Sequence, residues 1–229
     1  MFVHILGTTL VDYPGKVAST VFSAHCNLRC PFCHNSDLVL ETSISQLQEL
    51  SVDYIKAFFT KRLGFLTGVV FTGGEPLLNP DLPSMMITLK EMGLSIKLDT
   101  NGTNPEILKD LIDIPDYIAM DVKSSPEKYN LATGGRGSFS RILESLEILR
   151  ENNKRFELRT TAVRPLFDIN DVKSLFQYLG KVEIWALQSF YPDHVLNEAW
   201  SEIPPYTPDE MKILAFEMKN TAKVVPLRF

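Results

Sequence analysis

Six short runs of apolar and β-branched residues, Val17–Phe22, Gly68–Thr72, Ser95–Asp99, Tyr117–Asp121, Phe156–Val163 and Val182–Leu187, recur along the chain and read as strands. Longer stretches with apolar residues at three- and four-residue spacing lie between them and read as helices: Ile44–Arg62, Asp81–Met92, Pro105–Ile112, Phe139–Asn152 and Ile169–Leu179. A last helix, Pro208–Asn220, precedes a tail, Val224–Phe229, and a short N-terminal segment ends in a Tyr13-Pro14-Gly15 turn. Ser43 or Ser45, Pro80-Asp81, Asn104-Pro105, Ser138 and Asp168 or Asn170 supply helix starts. Near-continuously apolar strands alternating with helices predict an α/β fold with a parallel sheet and helices outside it. Six units are too few for a closed eightfold barrel, so the expectation is a partial (β/α)6 TIM-like barrel, residues 1–229 forming one domain.

With 23 Lys and Arg against 28 Asp and Glu, the chain offers no excess of positive charge for bulk nucleic-acid or anionic-membrane binding. Its first residues show no signal peptide, and no run approaches the length of a membrane span, so a cytoplasmic location is expected. The three cysteines, Cys26, Cys30 and Cys33, fall within one short stretch spaced C-x3-C-x2-C. An odd, clustered set argues against a disulfide framework and for a metal site in a reducing compartment.

Ligands of parallel α/β folds gather at the carboxyl ends of the strands, where the unusual residues fall. The cysteines follow the first strand, Gly73-Gly74-Glu75-Pro76 the second, Asp99-Thr100-Asn101-Gly102 the end of the third, and Asp121-Val122-Lys123 the end of the fourth. Three cysteines with His25 or His34 could hold structural zinc; three cysteines on a cubane would leave one iron without a protein ligand. The glycines either turn the chain or let backbone approach a ligand, and Glu75 can accept hydrogen bonds from an ammonium group. Asp121 and Lys123 share a strand face, as a buried ion pair or as site groups, and an inward Arg159 could neutralise Asp99 or Asp121. Ser124–Gly137, with Gly134-Gly135-Arg136-Gly137, is long for a βα connection and lacks the ending of a phosphate loop. His4 and His194 read as ordinary histidines.

The cysteine spacing, the aromatic Phe32 before the last cysteine and the Gly-Gly-Glu-Pro that follows one strand later resemble the radical S-adenosylmethionine (radical SAM) superfamily. Cys33-His34-Asn35, the Asp-Thr-Asn-Gly and the Asp-x-Lys resemble its glycyl-radical-enzyme activating branch. Asp12-Tyr13-Pro14-Gly15-Lys16 further resembles the anaerobic ribonucleoside-triphosphate reductase activating proteins. The resemblance implies a [4Fe-4S] cluster on Cys26, Cys30 and Cys33, whose free iron is chelated by S-adenosylmethionine and which cleaves that molecule with one electron to give a 5′-deoxyadenosyl radical. It implies cofactor contacts by Phe32, Gly73, Gly74, Glu75, Lys123 and Arg159, with Gln188 a weaker candidate. It implies supporting contacts by His34 and Asn35, and a monovalent-cation site of Asp99, Thr100, Met120 and Asp121. The implied partners are a glycyl radical enzyme, anaerobic ribonucleotide reductase first, and a flavodoxin or ferredoxin-type electron donor. Ser124–Ser138 would receive the partner's glycyl loop. With no cysteine outside the motif, auxiliary clusters are excluded, which favours a minimal activase. The other readings are a radical enzyme acting on a small molecule, like 7-carboxy-7-deazaguanine synthase, and a zinc-stabilised interaction domain.

Overall fold

The computed structural model describes all 229 residues. The six expected strands form β2 (Ala18–Ser23), β3 (Gly68–Gly73), β4 (Ser95–Thr100), β5 (Tyr117–Asp121), β6 (Phe156–Ala162) and β7 (Val182–Ser189), paired in parallel in chain order. Three further strands extend this set. The N-terminal segment is β1 (Phe2–Thr9), antiparallel to β2, and the tail supplies β8 (Ala222–Val224) and β9 (Leu227–Arg228), both parallel to β7. Only Phe2 and Thr9 of β1 are buried, so this edge strand lacks the all-apolar signature of the inner ones. The strand order runs from β1 to β8 without the two ends pairing, so the sheet is an open, partial barrel.

Helices α1 (Glu41–Ile44), α2 (Val52–Thr60), α3 (Leu82–Glu91), α4 (Pro105–Leu111), α5 (Pro126–Ala132), α6 (Phe139–Glu151), α7 (Ile169–Leu179) and α8 (Pro208–Met218) complete the fold. The single helix expected over Ile44–Arg62 is broken. Leu50 donates its N–H to the Phe2 carbonyl at 2.8 Å, which ties the chain to β1, and the Ser51 hydroxyl then caps α2 by accepting from Tyr54 N–H. Asp168 and Thr207 start α7 and α8 as full capping boxes with Asp171 and Glu210.

Alternation along each strand divides the sheet into two chemistries. Ile96 and Leu98 of β4, Ile118 and Met120 of β5 and Leu158 of β6 belong to the main apolar core. The other face, reached by residues two apart, bears Lys97 and Asp99, then Asp121, then Glu157 and Arg159. Low in this concave face Glu157 accepts from Arg228 at 2.7 Å and from the Tyr117 hydroxyl at 3.3 Å. Higher up the charges lead to the cysteines.

Candidate active site

At the carboxyl ends of the strands lies a cavity of about 260 Å³ lined by Cys26, Cys30 and Cys33, with Phe32, His34 and Asn35 from the same loop. Gly73 and Gly74 line it from the end of β3, Asp99 and Thr100 from β4, Asp121 and Lys123 from β5, Arg159 from β6 and Gln188 from β7. The loop is brought there by close backbone approach. A Cβ on Gly74 would stand 2.1 Å from the His25 carbonyl oxygen, which accepts instead from Glu75 N–H at 2.7 Å. His25 itself takes the left-handed φ of 71°, which turns Cys26 toward the cavity. The proximity that the glycines permit is therefore first to the chain's own backbone.

Glu75 is fully buried and is not among the cavity-lining side chains. Its Oε1 accepts from the Thr100 hydroxyl at 2.8 Å and from Leu77 N–H at 3.2 Å, and its Oε2 accepts from Asn101 N–H at 2.7 Å. The carboxylate thus joins the β3 and β4 loops rather than offering itself to an ammonium group, and only the backbone of this motif reaches the cavity. Burial pushes its pKa to about 7, against the pull of those three donors.

Asp99 and Asp121 are bridged by Arg159, whose Nη1 donates to Asp99 at 2.7 Å and whose Nε donates to Asp121 at 2.9 Å. Lys123 donates to the other oxygen of Asp121 at 2.6 Å. Burial pushes both carboxyls up, but Arg159 with Lys97 and Lys123 overrides it and holds them below the usual Asp range. Met120 is wholly buried, its thioether packed where a Cβ on Gly102 would lie 2.9 Å away. At the expected monovalent-cation site of Asp99, Thr100, Met120 and Asp121, every carboxylate oxygen already faces a cation of the protein, while the Thr100 hydroxyl, which donates to Glu75, offers only its lone pairs.

Two supports of the cysteine loop are absent from the motif reading. Asn101 donates to the Cys26 sulfur at 3.8 Å and to Asn27 Oδ1 at 2.9 Å, and Leu28 N–H donates to the same sulfur at 3.4 Å. Arg29 N–H donates to the Thr133 carbonyl at 3.1 Å, while a Cβ on Gly134 would stand 2.1 Å from the Arg29 carbonyl oxygen. Half of the long connection after β5 is α5, and its Gly134 is fitted against the cysteine loop. On the outer side, Leu196 N–H donates to the Cys33 carbonyl at 3.1 Å and Asn197 N–H to the Pro31 carbonyl at 3.0 Å, with Trp200 6.4 Å from Phe32 between ring centres. His34 packs against Phe190 and Tyr191, and the Asn35 amide donates to the Gly73 carbonyl at 3.0 Å. His25 faces Glu41 at 3.6 Å and is not among the residues lining the cavity.

The Radical SAM superfamily matches residues 20–178, most of the chain and all of this site's strands but β7. The chain belongs to the radical SAM superfamily. The Methanocaldococcus jannaschii protein MJ1227, assigned by name as a glycyl-radical enzyme activating enzyme, is 30% identical over 98% of this chain and 94% of its own length. The pyruvate formate-lyase-activating enzyme of Streptococcus mutans is 27% identical over 88% of this chain and 84% of its own. These relatives put the chain in the glycyl-radical-enzyme activating branch. Among solved structures, Streptococcus suis SuiB bound to S-adenosylmethionine superposes with a TM-score of 0.67 at 14% identity, covering 90% of this chain and 48% of that one, so this radical SAM chain spans about half of SuiB.

The superfamily's cofactors are a [4Fe-4S] cluster and S-adenosylmethionine, and the site's chemistry fits them. Three free thiols line one cavity, and amide donors already reach one sulfur. Burial pushes the Cys26 and Cys30 thiols up to about 11 and about 12, while the Leu28 N–H at Cys26 and Lys123 at Cys30 pull them back toward thiolate. No three His, Cys, Asp or Glu side chains converge closely enough for a single metal ion. Thiolates of a cubane each bind a different iron and stand apart across the cluster, so they need not converge on one point.

Proposed function

We propose that the chain is an activase that generates a glycyl radical on a partner enzyme, with anaerobic ribonucleotide reductase as that partner. The observation that supports the activase is the match to MJ1227 over nearly the full length of both chains, and the choice of partner rests on the resemblance of Asp12–Lys16 alone. The segment Asp12–Lys16, which bears the resemblance to the reductase activases, packs at the opposite end of the sheet from the cavity. Tyr13 is buried against Tyr117 and the Thr20 hydroxyl donates to Asp12, so this segment is anchored to the fold by these two residues while Pro14 and Gly15 stay exposed.

Cys26, Cys30 and Cys33 would hold the cluster, and the open cavity beside them takes S-adenosylmethionine. Together the two groups supply one electron and a carbon radical that abstracts hydrogen. Lys123 and Arg159, each with donors beyond those given to Asp121 and Asp99, face the cavity and suit the cofactor's carboxylate. The backbone of Gly73 and Gly74 lines the wall where its ammonium group would lie, and Phe32 gives an apolar surface for the adenine. The packed rings of Phe190, Tyr191 and Trp200 keep water and oxygen from the cysteine loop.

Anaerobic reconstitution followed by incubation with S-adenosylmethionine, reduced flavodoxin or ferredoxin and candidate glycyl radical enzymes tests the reading by electron paramagnetic resonance. A glycyl doublet on anaerobic ribonucleotide reductase is expected. Cofactor cleavage without a doublet on that enzyme, when pyruvate formate-lyase does show one, would reassign the partner; a doublet on neither would remove the activase reading.

A further inference from the structure

Lys97 is among the largest fully buried side chains of the chain, 1% exposed, and it does not line the cavity. Its ammonium donates to Asp99 Oδ1 at 2.6 Å from beneath, while Asp99 itself forms part of the cavity wall. Asp99 Oδ2 accepts from Arg159, Asp121 Oδ1 accepts from Arg159, and Asp121 Oδ2 accepts from Lys123. The charges alternate along this line, and all four carboxylate oxygens face a cation of the protein. Three cations against two carboxylates leave one net positive charge directed at the cysteines. An alkali ion entering here would meet net positive charge and would have to displace an ammonium or guanidinium group.

We propose that the Lys97 ammonium is an internal counterion that replaces a free monovalent cation, so that this chain binds S-adenosylmethionine independently of potassium or sodium. Lys97 is the member of the line suited to that role. Lys123 and Arg159 reach the cavity, whereas Lys97 has no access to a ligand and acts only by neutralising Asp99 and so leaving Arg159 free to span Asp99 and Asp121. It is a positioning residue. Removing its ammonium leaves Asp99 Oδ1 without a cation at the cavity wall, a position that a small cation can then fill. The inference rests on cofactor binding in this cavity and not on which partner enzyme receives the radical.

The test compares choline, sodium and potassium chlorides at equal ionic strength. Thermal unfolding is followed on the cluster-free chain, and S-adenosylmethionine affinity on the anaerobically reconstituted protein. The wild type is expected to show the same unfolding temperature and the same affinity in all three salts. Lys97→Met is expected to lose about tenfold in affinity in choline, and to recover it, with a rise in unfolding temperature, as sodium or potassium saturates the site. Lys97→Arg, which keeps the charge, is expected to remain indifferent to the salt. A saturable gain by the wild type in sodium or potassium that Asp99→Asn abolishes would overturn the proposal, and this limb decides even if Lys97→Met does not fold. A folded Lys97→Met that ignores all three salts would overturn it equally.

Discussion

The side-chain amide of Asn101 donates to the sulfur of Cys26 at 3.8 Å. Its orientation is fixed, because Asn101 Oδ1 accepts from the Thr103 N–H and hydroxyl while its backbone N–H is held by Glu75. A donor aimed at a cluster sulfur stabilises the more negative, reduced form and raises the reduction potential. Asn101→Leu removes the donor and is expected to lower the potential of the reconstituted cluster by tens of millivolts, on the order of a tenfold change in the one-electron equilibrium. A redox titration monitored by electron paramagnetic resonance measures this; an unchanged midpoint would show that the contact has no electrostatic weight.

Gly134 and Gly135 both take left-handed φ values, 63° and 75°, but differ in what surrounds them. A Cβ at Gly134 meets the Arg29 carbonyl at 2.1 Å, whereas at Gly135 the nearest atom is 4.0 Å away. Gly135→Ala should therefore lose only the backbone-strain contribution, roughly 1–3 kcal/mol. Gly134→Ala should lose more, and it should also shift the cysteine loop, so iron bound per chain after reconstitution falls. Chemical denaturation with iron analysis of both variants checks the difference; equal behaviour would show that the loop does not depend on this fit.

The alternation of strand and helix, the open barrel and the cysteine cavity were legible because each follows from a local pattern. Continuous apolar runs mark inner strands, and strand ends place loops at one mouth. β1 escaped notice because only its two end residues are buried, and β8 and β9 because two- and three-residue strands carry no period. The spacing of two that pairs Asp121 with Lys123 also joins Lys97 to Asp99, so the strand period alone places that lysine beside its carboxylate. Glu75 was different. Its turn away from the cavity depends on Thr100 and Asn101, some 25 residues along the chain, and no local pattern reports such a partner. The fit of Gly134 to Arg29 is likewise a contact between loops that only the fold brings together.

Stability should vary with pH through Glu75. Burial raises its carboxyl from an ordinary 4.5 to about 7, so between these values the folded chain holds a proton that the unfolded chain releases. Its contribution is complete below about 4.5 and is lost as the pH rises through about 7. Asp99 and Asp121 act the other way and lower, since Arg159 and its neighbouring lysines hold both under 3.8 against burial, and their contribution is lost only as the pH falls through that depressed range. Urea unfolding of the cluster-free chain should show stability falling across the Glu75 window, and Glu75→Gln should flatten that slope. A slope that survives the substitution would assign it to another group.

Trp200 is the outer wall of the cysteine loop. Its ring packs 6.4 Å from that of buried Phe32, and the residues just before it, Leu196 and Asn197, satisfy the carbonyls of Cys33 and Pro31. The small apolar cluster beneath includes Leu28, Cys30, Phe32 and Phe190, with Trp200 closing its edge. Truncating Trp200 removes ring contacts without touching any thiol, so Trp200→Ala should still assemble a cluster in the absence of oxygen. On exposure to air its visible absorbance should bleach several-fold faster than that of the wild type, because solvent and oxygen then reach the loop from outside. Stopped-flow or manual bleaching traces of the two proteins give the comparison, and equal rates would mean that oxygen enters through the cavity mouth instead.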